Sequence, residues 1–281
     1  MKCPYCGSEI ADNSKFCTVC GGNLQNANQT PAMAGAGNGS NASAQAMEKV
    51  ANTGLMLGAA AREARLYAEY DPEDIISTRL YNAIIVGVLL YGIVVNVLLC
   101  YFVGDIYEYV HPILFLVLYV ALAFGGVIIA AKSSKSIFSF LGYNMVVVPF
   151  GLVISTLVEA YGGIGSEIVT LAFLYTLLIA AGMGAASIAF PKFFSNIGGA
   201  LLGVLIGVVI AEVILLLLGF DQSVVDWIVA GLFSLYIGYD IYRSQQFEKT
   251  VDNAVDCALD IYLDIANLFI RILRIIAKNR D

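Results

Sequence analysis

The stretch AVDCALDIYLDIANLFIRILRIIAKNR, residues 254–280, decides how this chain folds. It reads at first as a greasy segment, yet it carries Asp256, Asp260, Asp264, Asn267, Arg271, Arg274 and Lys278. The steps between them are 4, 4, 3, 4, 3 and 4 residues, averaging close to the ~3.6 residues of a helical turn. At about 100° per residue all seven fall within roughly 80° of the circumference. The spacing predicts one helix with a narrow polar seam, acidic in its first half and basic in its second. A helix lying flat on a membrane shows a broad polar face. A helix apolar around the remaining arc fits better among other helices, with its seam lining a central cavity. Ionisable groups at such depth are costly and point to function.

Composition sets the class. The chain is 59% hydrophobic and 13% charged, with mean hydropathy +0.80, where a soluble chain carries about 25% charge. Six long apolar runs stand out, at about 80–103, 112–131, 137–158, 168–190, 197–219 and 225–242. Each is near the ~20 residues that cross ~30 Å of hydrocarbon. The net charge of −7 argues against nucleic acid as a partner; the partner is the lipid bilayer. The sequence predicts an all-α polytopic membrane protein.

Loop charges predict its orientation. The connections after the first, third and fifth runs hold Asp105, Glu108, Glu159 and Asp221 and no Lys or Arg. Those after the second, fourth and sixth hold Lys132, Lys135, Lys192, Arg243 and Lys249, and the N-terminal flank holds Arg62, Arg65 and Arg79. Basic loops stay in the cytoplasm, so the N-terminus is expected inside, in an inner membrane. The last helix breaks the rule, because its far end carries Arg271, Arg274, Lys278 and Arg280.

Residues 1–24 differ in kind. Cys3, Cys6, Cys17 and Cys20 form C-x2-C-x10-C-x2-C, two knuckles that together offer the tetrahedral sulfur set Zn²⁺ prefers. The spacing favours metal over two disulfides. Four sulfurs leave no open position, so the predicted Zn²⁺ is structural, and so small a module needs it to fold. Residues 25–46 are small and polar without periodicity and read as a disordered tether. Residues 47–74 read as a short cytosolic or juxtamembrane helix, and 75–281 as the membrane domain.

The acidic half of the seam needs partners. The sixth run ends in SLYIGYDIYRSQQ, with Asp240 in its last turns. Antiparallel helices joined by a hairpin bring residues equidistant from the turn to similar depth. Asp240 is therefore expected to meet Asp264, or Asp260 one turn nearer the loop. Two close carboxylates in low dielectric cannot both ionise easily and tend to share a proton. Such a pair is a pH sensor, a cation site or both; otherwise the acids are neutralised by Lys or Arg at a helix end. Glu212, deep in the fifth run, reads equally as a cavity-lining cation ligand or as partner to a seam base such as Arg271. His111, the one histidine, reads as an interfacial residue, and Cys100 and Cys257 as isolated buried thiols. No nucleophile–base set appears, so no enzyme is expected.

GYDIYRSQQ followed by ALDIYLDIANLFIRILRIIA resembles the C-terminal signature of the Bax inhibitor-1 family, over about residues 75–277. The 24-residue separation of Asp240 and Asp264 is similar to that of bacterial members. The resemblance implies seven transmembrane helices with the seventh central, and a Ca²⁺-permeable leak gated by pH with Asp240 and Asp264 as sensor. Asp260 matches a second acid of some members. It also implies a basic latch on Asp240, at Lys132 or the nearby Lys135. The N-terminal segment resembles the zinc ribbons that begin many bacterial membrane proteins, and its own protein partner is left open. Two rival functions stand beside the leak: a non-conducting regulator that binds other membrane proteins such as a membrane protease, and a proton-coupled transporter.

Overall fold

The computed structural model describes residues 71–132 and 136–279. The predicted ribbon, tether and lead-in helix, and with them Cys3, Cys6, Cys17 and Cys20, lie outside the described residues. Among the described residues there are seven α-helices and no strand: α1 Thr78–Phe102, α2 Pro112–Lys132, α3 Ser136–Ala160, α4 Glu167–Ala189, α5 Pro191–Leu217, α6 Ser223–Ser244 and α7 Val251–Lys278. Five of them, α1, α3, α4, α5 and α6, are long and apolar enough to cross a membrane. The apolar run Pro112–Gly126 of α2 is shorter, and α7 carries too many charges to qualify.

Local chemistry sets the helix ends. Ser77, Ser166 and Thr250 cap α1, α4 and α7 by accepting from the N–H groups of Leu80, Val169 and Asn253. Such caps satisfy donors that a helix start leaves bare. At the start of α2, His111 Nδ1 accepts from Ile113 N–H at 3.3 Å, a helix-end role. α5 begins six residues before its apolar run because Pro191 stands in its first turn, where its fixed φ suits a helix start. It ends at Gly219, φ 73°. There Phe220 N–H reaches Leu215 O and Gly219 N–H reaches Leu216 O, the paired bonds of a Schellman stop that needs a left-handed residue.

The packing places α7 at the centre. Its principal neighbours are α1, α3, α4 and α6, while α2 leans on α3 and α5 on α6. The apolar side chains of α7 therefore meet protein on several sides, and Ala254, Ala258, Leu268 and Leu273 are fully buried. The outer helices instead expose a belt of large apolar residues, among them Leu98, Leu114, Leu174 and Ile206. Such a belt suits hydrocarbon and is costly in water. α7 is thus the helix predicted from its narrow seam: apolar nearly all round because other helices surround it.

The α6–α7 hairpin fixes depth. The Tyr81 hydroxyl donates to Ser244 O at 2.9 Å and touches Cys257 Sγ at 3.3 Å. Ser244 and Cys257 are therefore level, and the hairpin's centre falls between residues 250 and 251. The connection itself is shorter than the sequence suggested, because α6 ends at Ser244 and α7 starts at Val251. It descends before turning back, and Phe247 and Thr250 are buried. Lys249 Nζ donates to Gln245 O at 2.6 Å and Phe247 O at 2.9 Å and lies 4.9 Å from the centre of the Tyr81 ring. Burial pushes the Lys249 pKa down.

Candidate ion and proton site

The seam divides into two clusters. In its N-terminal half, Asp264 lies beside Asp240 of α6, with Asp260 close enough to act on it through its charge. Asp264 is 6% exposed, and its Oδ2 accepts no hydrogen bond. The structure thus brings Asp264 near both acids the sequence put forward, Asp240 and Asp260. Reflection through the hairpin's centre sends Asp240 to Ile261, within one turn of both acids.

Around the pair stand groups that the sequence reading did not assign to it. Arg243 Nη1 lies 4.0 Å from Asp240 Oδ1, three residues along the same helix, and its guanidinium covers the Phe247 ring at 5.2 Å. The Tyr236 ring is near both Asp240 and Asp264. The base expected beside Asp240, Lys132, ends α2, but its side chain and all of Lys135 lie outside the described residues. Nearer the start of α7, Asp252 accepts from the Ser139 hydroxyl of α3, and Asp256 is buried.

The C-terminal half follows a different rule. Arg271 grips Glu212 of α5 with both Nη atoms, at 2.5 and 3.0 Å, and donates to Asp226 of α6 at 2.8 Å. Arg274 lies 3.9 Å from Asp226, and Lys278 pairs with Asp221. Of the two readings open for Glu212, the structure shows the partnership with Arg271. Its two-pronged geometry holds carboxylates more specifically than a point charge would. Asp226 was missed, although the hairpin could have found it: reflection sends Asp226 to Ile275, beside Arg274, and Asp221 to within two residues of Lys278.

Metal-binding chemistry is limited on the same terms. Among the described residues no group of three or more His, Cys, Asp or Glu side chains is placed to hold a metal ion. The predicted zinc ligands lie outside the described residues, and their donor set, four thiols in two knuckles, fits Zn²⁺ by type and number.

A helical bundle with an apolar belt and five helices long and apolar enough to span, packed round a central helix that carries the polar seam, defines a multi-pass membrane protein. The family model described as Inhibitor of apoptosis-promoting Bax1 matches residues 74–281, and a zinc-ribbon domain model matches residues 2–24. The chain belongs to the Bax inhibitor-1 family. Curated relatives include an uncharacterized protein of Helicobacter pylori, 42% identical over 90 residues, covering 31% of this chain and 38% of that one. An uncharacterized protein of Campylobacter jejuni is 35% identical over 129 residues, covering 44% and 53%. The chain thus spans between 38% and 53% of the length of these relatives.

Proposed function

We propose that the protein is a pH-sensitive leak pathway for Ca²⁺ or a similar cation, with the Asp240–Asp264 pair as its proton-operated sensor. The observation that carries this reading is the placement of Asp264, buried on α7, beside the half-buried Asp240 of α6. Carboxylate oxygens are the ligands a divalent cation needs to replace its lost hydration, and Asp260 adds a further one at the rim. Protonating the pair removes the negative charge that would hold α6 to a base on another helix, while the base on α6 itself loses its acidic neighbour. Arg243 is the base seen near Asp240, and the family pattern adds Lys132. Acidification is therefore expected to raise the leak. All seven helices then span, with residues 1–74 cytoplasmic and Asp281 on the opposite side of an inner membrane.

The test is Ca²⁺ efflux from loaded proteoliposomes. A leak passes Ca²⁺ down its gradient without a proton gradient. A non-conducting regulator passes none, and a proton-coupled transporter stops when the proton gradient is collapsed.

The four N-terminal cysteines would hold a structural Zn²⁺ and supply a docking module for a cytoplasmic protein. Replacing Cys3 and Cys17 together with Ser is expected to abolish zinc binding by metal analysis, while the membrane domain's melting temperature in detergent stays within a degree or so, because a small polar tether at 25–46 carries no energetic coupling between the two. A matching fall in melting temperature would show that ribbon and bundle fold as one.

A further inference from the structure

The bundle has an opening on its side. A cavity of about 560 Å³ lies between α1 and α4, with α7 as its floor. α1 and α4 both pack on α7, and their other principal contacts are with α3, α5 and α6. Leu90 and Val97 of α1 and Phe173 and Leu177 of α4 line the cleft and are also exposed at the surface. The cleft is therefore continuous with the apolar belt that faces hydrocarbon. From this mouth it reaches inward to Tyr262, Ile265, Ala266 and Phe269 of α7.

Its few polar groups are turned to the protein. Thr170 Oγ1 donates to Ser166 O at 2.9 Å and Thr176 Oγ1 to Ala172 O at 2.7 Å, each within its own helix. Asn96 Nδ2 donates to the Tyr262 hydroxyl at 2.6 Å, and its Oδ1 lies against Gly151, where an added Cβ would come within 2.2 Å of it. A polar ligand would find little to bond, and water little to hold it; apolar cavities stay dry and take apolar guests. Leaving the space empty would forfeit the dispersion contacts of its walls.

We propose that this cleft is a lipid site that takes one acyl chain from the leaflet on the side of the α3–α4 turn. The length fits. The lining runs from residue 89 to 100 on α1 and from 169 to 181 on α4. That is about 16–18 Å of helix, against about 15 Å for half of a ~30 Å hydrocarbon layer. Exposed Ile164, in the α3–α4 turn, marks the end nearest the headgroups. The volume suits a guest of this size, since ligand cavities run from about 300 to 1,000 Å³. The occupant would rest on the face of α7 that carries Tyr262 and Phe269, close in sequence to Asp264. The proposal stands whether or not the protein conducts ions.

Tryptophan quenching tests it in vesicles of phosphatidylcholine brominated on the acyl chains. Trp227, the one tryptophan, is 62% exposed and serves as the lipid-facing standard in the unaltered chain. In a Trp227→Phe background, Phe269→Trp reports from the cleft floor and is expected to lose a fraction of its emission comparable to that standard. Adding Ala180→Phe, which fills the cleft, is expected to abolish most of that quenching. If Phe269→Trp does not fold, Ile265→Trp reads the same floor. An unquenched floor overturns the proposal, whether the cleft is empty or covered by a second copy of the chain. Quenching indifferent to Ala180→Phe also overturns it, because the bromines would then arrive by another route.

Discussion

Asp264 and Arg271 lie seven residues apart on one helix, about two turns, and meet opposite surroundings. Arg271 is held by Glu212 and Asp226, and Arg274 and Lys278 also lie against acids of other segments. Asp264 faces Asp240, a second acid, with a third at Asp260. The C-terminal half of α7 joins opposite charges across α5, α6 and the turn between them, which is what a structural clasp requires. The N-terminal half brings like charges together out of water, which no stability argument favours. Acids so placed are the usual mark of a working site.

The difference breaks most visibly at Arg271. Arg271→Met leaves Glu212 without its cation and Asp226 with only the more distant Arg274, and breaking a fully buried pair in this way costs about 3–5 kcal/mol, an upper bound for this half-buried one. A large fall in melting temperature in detergent is expected. Adding Glu212→Gln and Asp226→Asn removes the stranded charges and should recover most of the loss. A single Arg271→Met chain that melts like the unaltered protein would show that this half is no clasp.

The same measurement should run the other way in the N-terminal half. Asp264→Asn relieves a conflict between acids and is expected to stabilise the bundle by about 1 kcal/mol, the trade commonly seen when a functional site is neutralised. A loss as large as that of Arg271→Met would mean that the pair is itself a structural element.

The smallest effect belongs to Asp221. Its carboxyl is held below the usual carboxylate range, first by the hydrogen bond from Lys278 and then by Ser223. A lowered folded-state pKa adds stability above the unfolded value of about 3.9 and loses it as pH falls through the folded value. The site is exposed, so the contribution is slight. Asp221→Asn should leave the melting temperature at pH 7 almost unchanged and flatten its decline below about pH 4. An unaltered decline would assign the acid sensitivity to other carboxyls.

Helix number and the central position of α7 were legible because hydrophobic period and the narrow seam depend only on local spacing; the start of α5 was not, because it is set by Pro191 and not by the apolar run. The Asp240–Asp264 meeting was legible for a related reason: two helices joined by a short turn have one degree of freedom, the hairpin's centre. The same reflection was available for Asp226 and would have placed it among the basic residues at the end of α7. Asp226 was passed over because it sits in the first turn of α6, where it reads as a border residue. Contacts between helices distant in sequence carried no such signal. Ser139 with Asp252 and Asn96 with Tyr262 depend on how α1 and α3 rotate about their axes, which the nearly uniform apolar faces of those helices do not specify. The side cleft was invisible for the same reason.

The pH profile of Ca²⁺ flux in proteoliposomes, from about pH 5 to 8, tests the carboxyl pair most directly. The unaltered protein is expected to leak more as the pH falls. Asp240→Asn and Asp264→Asn each remove the second carboxyl with which a proton is shared, so each should flatten the profile, and the double replacement should also weaken competition by Ca²⁺ for the site. Asp260→Asn, on the rim, should change the profile less. If the Asp240→Asn and Asp264→Asn proteins keep the profile of the unaltered chain, the pair is not the sensor.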